Sequence, residues 1–66
     1  MMNIKTFMSI VVQHCRNNNY SLQTRDVIDV AIRDFPTSIK LCEFDNHDLY
    51  YASRWYISKL RDGRLL

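Results

Sequence analysis

Apolar residues recur at helical spacing near the start of the chain. Residues 4–16 carry an apolar stripe whose members fall three or four positions apart, namely Ile4, Phe7, Met8, Val11 and Cys15. Such a stripe is typical of one buried helix face. The shorter run "SIVV" alone is also compatible with a strand, because Val and Ile are mediocre helix formers. The longer stripe favours a helix, which we expect "NNNY" to end because asparagine tolerates left-handed backbone.

A second stripe predicts a helix over residues 21–35, "SLQTRDVIDVAIRDF". Its expected buried face consists of Val27, Ile28, Ala31 and Phe35. Ser21 or Thr24 is the expected cap, since a hydroxyl oxygen can accept a hydrogen bond from a free amide of the first turn. Pro36 should end this helix, because a residue that precedes proline avoids the helical region.

Residues 37–44, "TSIKLCEF", are ambiguous between a short helix and a short extended segment. Thr37 or Ser38 could cap a helix here, and the apolar residues Ile39, Leu41, Cys42 and Phe44 would follow. Eight residues are too few for periodicity to separate the two structures. We favour the short helix.

The last predicted helix spans residues 46–62. Asp45 or Asn46 is the expected cap. The expected inward face consists of Leu49, Ala52, Ser53, Tyr56, Ile57 and Leu60. Gly63, the single glycine of the chain, follows the last turn, where a left-handed residue commonly ends a helix. The sequence therefore predicts one all-α domain over residues 1–66, a compact bundle of three main helices plus one short helix.

Length and composition limit the class of protein. A chain of 66 residues buries only about 60% of its unfolded surface, so self-association is an expected source of added stability. Two cysteines, Cys15 and Cys42, are too few for a disulfide framework. No apolar run approaches the roughly 20 residues that cross a bilayer, and no secretory signal is recognisable. We expect a reduced cytoplasmic protein that does not bind membranes.

Positive charge is concentrated at the end of the chain. The net charge is +2, yet residues 1–48 carry five cations and six anions. Residues 49–66 carry a local charge of +3, made by Arg54, Lys59, Arg61 and Arg64 against Asp62. A local excess of this size is suited to a surface that faces phosphate groups.

Catalytic and metal-binding patterns are weak. One glycine cannot form a phosphate-binding loop, and no serine lies in a nucleophile-elbow context. The spacing of His14, Cys15, Cys42 and His47 fits no known zinc finger, and the first two point about 100° apart on a helix. We expect a non-enzymatic protein with no cofactor, no metal and no small-molecule substrate.

The closing segment, "LYYASRWYISKLRDGRLL", holds the candidate contact residues. If the apolar face points inward, an outward strip of rings, guanidinium groups and hydroxyls remains, formed by Tyr51, Arg54, Trp55, Ser58 and Arg61. Trp and Arg are enriched at contact hot spots, and Arg clamps phosphate in a fork. The plainer interpretation is that Trp55 belongs to the core and the charges only solubilise the domain.

The same segment resembles the recognition helix and following turn of winged helix-turn-helix domains. Matching positions are held by Ser53, Ile57, Leu60, Gly63, Leu65 and Leu66, and "TRDVIDVAIRDFPTSIK" would be the support helix. The chain stops at Leu66, where a wing hairpin would begin, so we expect the wing to be absent or truncated. The interval from Pro36 to Asn46 is longer than a tight turn of that motif. The small, asparagine-rich chain is also similar in style to accessory proteins of temperate bacteriophages.

These observations predict a small nucleic-acid-binding or transcription-regulatory module. Phosphates or base edges of DNA would contact Arg54, Ser58, Lys59 and Arg61, while Tyr51 and Trp55 would add surface contacts. A homodimer would double these contacts. The alternative is a protein-interaction module, a phage-type accessory protein that binds a host factor or itself through the aromatic and arginine face.

Overall fold

The computed structural model describes residues 2–63, and within that range the chain forms four α-helices and no strand. They are α1 (Ile4–Asn17), α2 (Thr24–Asp34), α3 (Pro36–Cys42) and α4 (Asn46–Arg61). The prediction of an all-α chain with three main helices and one short one is confirmed. The ambiguous segment is helical in α3, because proline fits the first helical position, where no amide hydrogen bond is needed.

The ends of α1 and α2 show how local chemistry sets each boundary. The Asn3 side chain accepts a hydrogen bond from the Thr6 amide at 2.8 Å, and Asn19 adopts a left-handed φ of +57° after the helix. The predicted cap of α2 by Ser21 or Thr24 is wrong. The residue that precedes the first turn is Gln23, and its side chain makes no capping hydrogen bond. The Ser21 hydroxyl does not cap the helix because it accepts a hydrogen bond from the Gln23 amide, at 3.2 Å, in the turn before it.

The core lies where α1, α2 and α4 meet. Its buried members are Phe7, Met8, Val11, Val12, Cys15, Val27, Val30, Ala31, Leu49, Ser53 and Ile57. The predicted stripes supply most of them, although Val12 and Val30 were not predicted. They are buried because α4 packs against both α1 and α2, which widens the covered face of each helix.

An aromatic cluster holds the short helix in place. The Phe7 ring of α1 lies with its centroid 6.0 Å from that of Phe35 and 5.2 Å from that of Phe44. Phe35 directly precedes α3, and Phe44 lies two residues after its end. Among the described residues, α3 itself packs against α2. The cluster therefore fixes the path of the chain from α2 into α4.

Both ends of α4 are defined by specific residues. Asp45 and Asp48 form a reciprocal capping box, in which each carboxylate accepts the other residue's amide. Gly63 has a φ of +74°, and its amide donates to the Leu60 carbonyl at 3.1 Å, as predicted for a left-handed stop. Arg64, Leu65 and Leu66 lie outside the described residues, so the expectation that the wing is absent or truncated stays a prediction.

Candidate binding face on the last helix

α4 divides into a buried face and an open face. Leu49, Ser53 and Ile57 are buried against α1 and α2. The opposite side therefore points to solvent, and there the Trp55 side chain is 40% exposed and that of Tyr51 55% exposed. Trp55 thus lies outside the buried core.

Five of the six predicted contact residues line one open groove beside α4. The groove has a volume of about 630 Å³ and is lined by Thr24, Tyr51, Arg54, Trp55, Ile57, Ser58 and Arg61. We call it the α4 groove. Lys59, the sixth predicted residue, lies beside Trp55, with its Nζ 5.8 Å from the ring centroid. Trp55 is therefore shared between the groove and the lysine.

The cations of this face have no carboxylate partner in the described part of the chain. There, no carboxylate lines the α4 groove. Among residues 2–63, no carboxylate oxygen lies within 4.0 Å of a charged nitrogen of Arg54, Lys59 or Arg61. In that range the Arg54 guanidinium donates one hydrogen bond, to the Tyr50 hydroxyl at 3.5 Å from Nη1, and lies 5.5 Å from the centroid of the same ring. Free positive charge beside an open groove attracts anionic groups.

Structure adds Lys5 to the face. Its Nζ lies 4.5 Å from the Trp55 ring centroid, so ammonium groups from α1 and α4 both sit over the indole. Thr24 joins from the start of α2 as a groove-lining residue. Neither had a signal in the sequence, because both are far from α4 along the chain and meet it only through helix packing.

Tyr51 is held by aromatic neighbours. The His47 ring centroid lies 4.5 Å from that of Tyr51, and the Tyr50 ring meets Tyr51 edge to face at 5.2 Å. Such contacts restrict side-chain motion and lower the entropy lost when a ring contacts a partner. Tyr51 is therefore partly preorganised for a surface contact.

A charged cluster between α1 and α2 lies apart from the groove. Asp34 accepts two hydrogen bonds from Arg33, at 2.9 and 3.0 Å, and its Oδ2 lies 3.1 Å from His14 Nε2. The Arg33 hydrogen bonds are the main cause that lowers the pKa of Asp34 to about 2; desolvation, the next largest effect, opposes them, and the His14 hydrogen bond adds to the lowering. Burial, followed by the Asp34 charge, raises the pKa of the Cys15 thiol. These groups tie two helices together.

Asp45, His47 and Asp48 bring three potential metal ligands within 4.8 Å of one another. Two of the three carboxylate or imidazole groups already have structural partners, since Asp45 and Asp48 accept amide hydrogen bonds in the capping box. Exposed acidic groups at a helix start are accounted for by capping and by the helix dipole. We assign no metal to them.

Within residues 2–63, no helix is both long enough and apolar enough to cross a bilayer. Comparison with known proteins gives no matching family, no matching curated protein and no matching solved structure.

Proposed function

We propose that this protein is a small nucleic-acid-binding module that contacts DNA through the α4 groove and its flanking lysines. One observation carries the proposal. Tyr51, Arg54, Trp55, Ser58 and Arg61 line a single groove, and its two arginines have no carboxylate partner among the described residues. Arginines without a carboxylate partner, beside hydroxyls, suit the phosphate oxygens of a polyanion, and the exposed rings add surface contacts.

Each side chain has a chemical role in this proposal. Arg54 and Arg61 offer guanidinium forks for phosphate oxygens, and Ser58 offers a hydroxyl donor. Lys5 and Lys59 extend the positive surface past Trp55 as compact charges. The Trp55 ring supplies a contact surface between the two sets of cations.

The order of elements is consistent with a helix-turn-helix arrangement, in which α4 would be the recognition helix. α3 and α4 are joined by three residues, 43–45, and Glu43 adopts a left-handed φ of +57° in that turn. Turns of three to four residues join the helices of that motif. α3 packs against α2 rather than against α4, which differs from a tightly packed helix pair. The regulatory role remains part of the proposal.

The test is a salt titration of binding to a short DNA duplex. If binding neutralises four phosphates, the logarithm of the binding constant should fall linearly with the logarithm of the salt concentration, with a slope of about −3.6. Arg54→Ala and Arg61→Ala should each flatten that slope by about 0.9, because each removes one phosphate contact. Binding is followed by fluorescence anisotropy of labelled DNA.

Lys40→Ala is the matched control, since Lys40 is exposed on α3 and lies outside the α4 groove. It should leave the slope unchanged. Absence of binding at low salt, or equal slopes for the native chain and both arginine variants, would contradict the proposal.

A protein partner is the second candidate function. The supporting observation is the exposure of Tyr51 and Trp55 on one surface with arginines around them, the composition typical of contact hot spots. In its self-association form, Trp55→Ala should lower the sedimentation coefficient at high concentration while circular dichroism stays unchanged. An unchanged sedimentation coefficient with an intact fold would remove Trp55 as an anchor.

A further inference from the structure

A second groove lies at the end of the molecule where α1 and α4 finish and α2 begins. It has a volume of about 770 Å³ and is lined by Arg16, Leu22, Gln23, Ile57, Leu60, Arg61 and Gly63. We call it the Arg16 groove. Leu22, Ile57 and Leu60 make its floor apolar, and no carboxylate of the described residues lines it. Among residues 2–63, neither Arg16 nor Arg61 has a carboxylate oxygen within 4.0 Å.

The chain also carries an apolar projection with the opposite charge. Leu41 is 69% exposed, the highest value among the described large apolar side chains. Glu43 and Asp45 follow it on the surface, and neither has a cationic partner within 4.0 Å in the described part of the chain. Residues 40–48 hold three carboxylates against one lysine. We call Leu41, Glu43 and Asp45 the Leu41 knob.

The knob and the groove lie toward opposite ends of the bundle. Phe7, near the start of α1, contacts both phenylalanines that flank α3. Arg16, in the last turn of α1, lines the groove. Nine residues separate these two positions, which is about 13 Å along a helix. The knob of one chain therefore cannot reach the groove of the same chain unless the contacts of Phe7 with Phe35 and Phe44 are broken.

We propose that the Arg16 groove of one copy receives the Leu41 knob of a second copy. Leu41 enters the apolar floor, where its exposed surface leaves water. Glu43 and Asp45 then face Arg16 and Arg61 across the rim, so that charges with no ionic partner among residues 2–63 pair between chains. No described residue covers either surface, and both are apolar with opposite charges at their rims.

Such a contact is head to tail, because it joins two different surfaces of identical chains. Each added copy still presents one free knob and one free groove, so assembly continues past the dimer unless the rotation closes a ring. We expect weak association, since one leucine and two ion pairs form a small contact. This contact uses neither Tyr51 nor Trp55, but it shares Arg61 with the α4 groove.

Sedimentation velocity over a wide concentration range tests the proposal on the full chain. The native protein should show a weight-average mass that rises with concentration beyond that of a dimer. Leu41→Ala and Arg16→Glu should each weaken association at least about tenfold, since one removes the apolar knob and the other reverses the charge at the groove. Ile32→Ala is the matched control, because Ile32 is a second exposed aliphatic residue, 48% exposed, outside both surfaces.

Mixing the two variants gives the sharpest outcome. The Leu41→Ala chain keeps an intact groove, and the Arg16→Glu chain keeps an intact knob. An equimolar mixture should therefore form one-to-one dimers that grow no further, although each variant alone stays monomeric. A native chain that is monomeric at all concentrations, an equal effect of Ile32→Ala, or variants that fail to pair would overturn the proposal. Arg16 and Leu41 lie outside the α4 groove, so DNA binding by both variants separates this result from the proposed function.

Discussion

At the scale of single residues, burial alone does not determine what a side chain contributes to stability. Leu49 and Ser53 lie one turn apart on the buried face of α4, and both are almost fully buried. Leu49 fills space with carbon atoms only. The Ser53 hydroxyl donates a hydrogen bond to the Met8 thioether at 3.3 Å, and a thioether is a weak acceptor. The two residues therefore differ in the free energy that their burial provides.

We predict that Leu49→Ala lowers the free energy of unfolding by about 2–5 kcal/mol, because it removes buried carbon and leaves a cavity. Ser53→Ala should change the free energy of unfolding by less than about 1 kcal/mol. The variant loses a weak hydrogen bond, but it also avoids the cost of removing a hydroxyl from water. Urea unfolding followed by circular dichroism measures both values. Equal losses would show that the hydroxyl and thioether bond contributes more than its chemistry suggests.

Because the pKa of Asp34 is lowered in the folded protein, we expect the stability of the fold to fall at acid pH. Its folded pKa is about 2, mainly because of the Arg33 hydrogen bonds, and its unfolded pKa is about 3.9. A depressed carboxylate pKa adds stability that is complete above the unfolded pKa and is lost as pH falls toward the folded pKa. The melting temperature should therefore drop between about pH 4 and pH 2. Asp34→Asn should flatten the drop in that window, and an equally steep drop in the variant would assign it to other carboxylates.

At the scale of elements, α4 carries both the core face and the open face, so its two ends matter for stability and binding alike. Its start is fixed by the capping box of Asp45 and Asp48, and its end by the left-handed Gly63. A carboxylate at the start of a helix is stabilised by the partial positive charge there, whereas the Asp62 carboxylate is repelled by the partial negative charge at the end. The same substitution, Asp to Ala, should therefore change the free energy of unfolding differently at the two ends of α4.

Asp45→Ala should lower the free energy of unfolding by about 1 kcal/mol, because the Asp48 amide loses its acceptor. Asp62→Ala is the matched control and should be neutral or slightly stabilising, since it removes a charge that faces the negative end of the helix. Thermal unfolding of both variants measures the difference. A larger loss for Asp62→Ala would contradict this account of the helix ends.

At the scale of the whole molecule, a small core gives the chain little stability to lose. A domain of 66 residues has a free energy of unfolding of roughly 3–10 kcal/mol. Phe7 is buried at the point where the rings of Phe35 and Phe44 meet α1. Its removal therefore disturbs α1 and the entire path around α3 together.

We predict that Phe7→Ala lowers the free energy of unfolding by about 3–5 kcal/mol, which is a large part of the total stability and should lower the melting temperature strongly. Ile10→Ala, on the exposed side of the same helix, should change it by no more than about 0.5 kcal/mol. Circular dichroism in the absence of denaturant detects the difference. A Phe7→Ala chain with native helix content and an unchanged melting temperature would sink this view of the core.

Much of the candidate site follows from the sequence, because the helical period assigns each residue of a segment to one face of the helix, and this period can be read from the segment itself. The inward position of Leu49 and Ile57 leaves Arg54 and Trp55 outward, and the exposure of these side chains agrees with that separation. The stop at Gly63 follows from the same local chemistry. The start of α2 was placed too early, because the competing turn of Ser21 has no distinct signal in sequence.

What the sequence alone determined is therefore local: the three main helices, most of the buried face of each and the open strip on α4. The tertiary structure decided which strips meet. Lys5 reaches Trp55, Thr24 lines the α4 groove, and Leu41 stays on the surface. These outcomes depend on how helices cross, which is set by the packing of side chains that lie far apart in the chain. Periodicity describes one helix at a time, so it cannot specify contacts between helices.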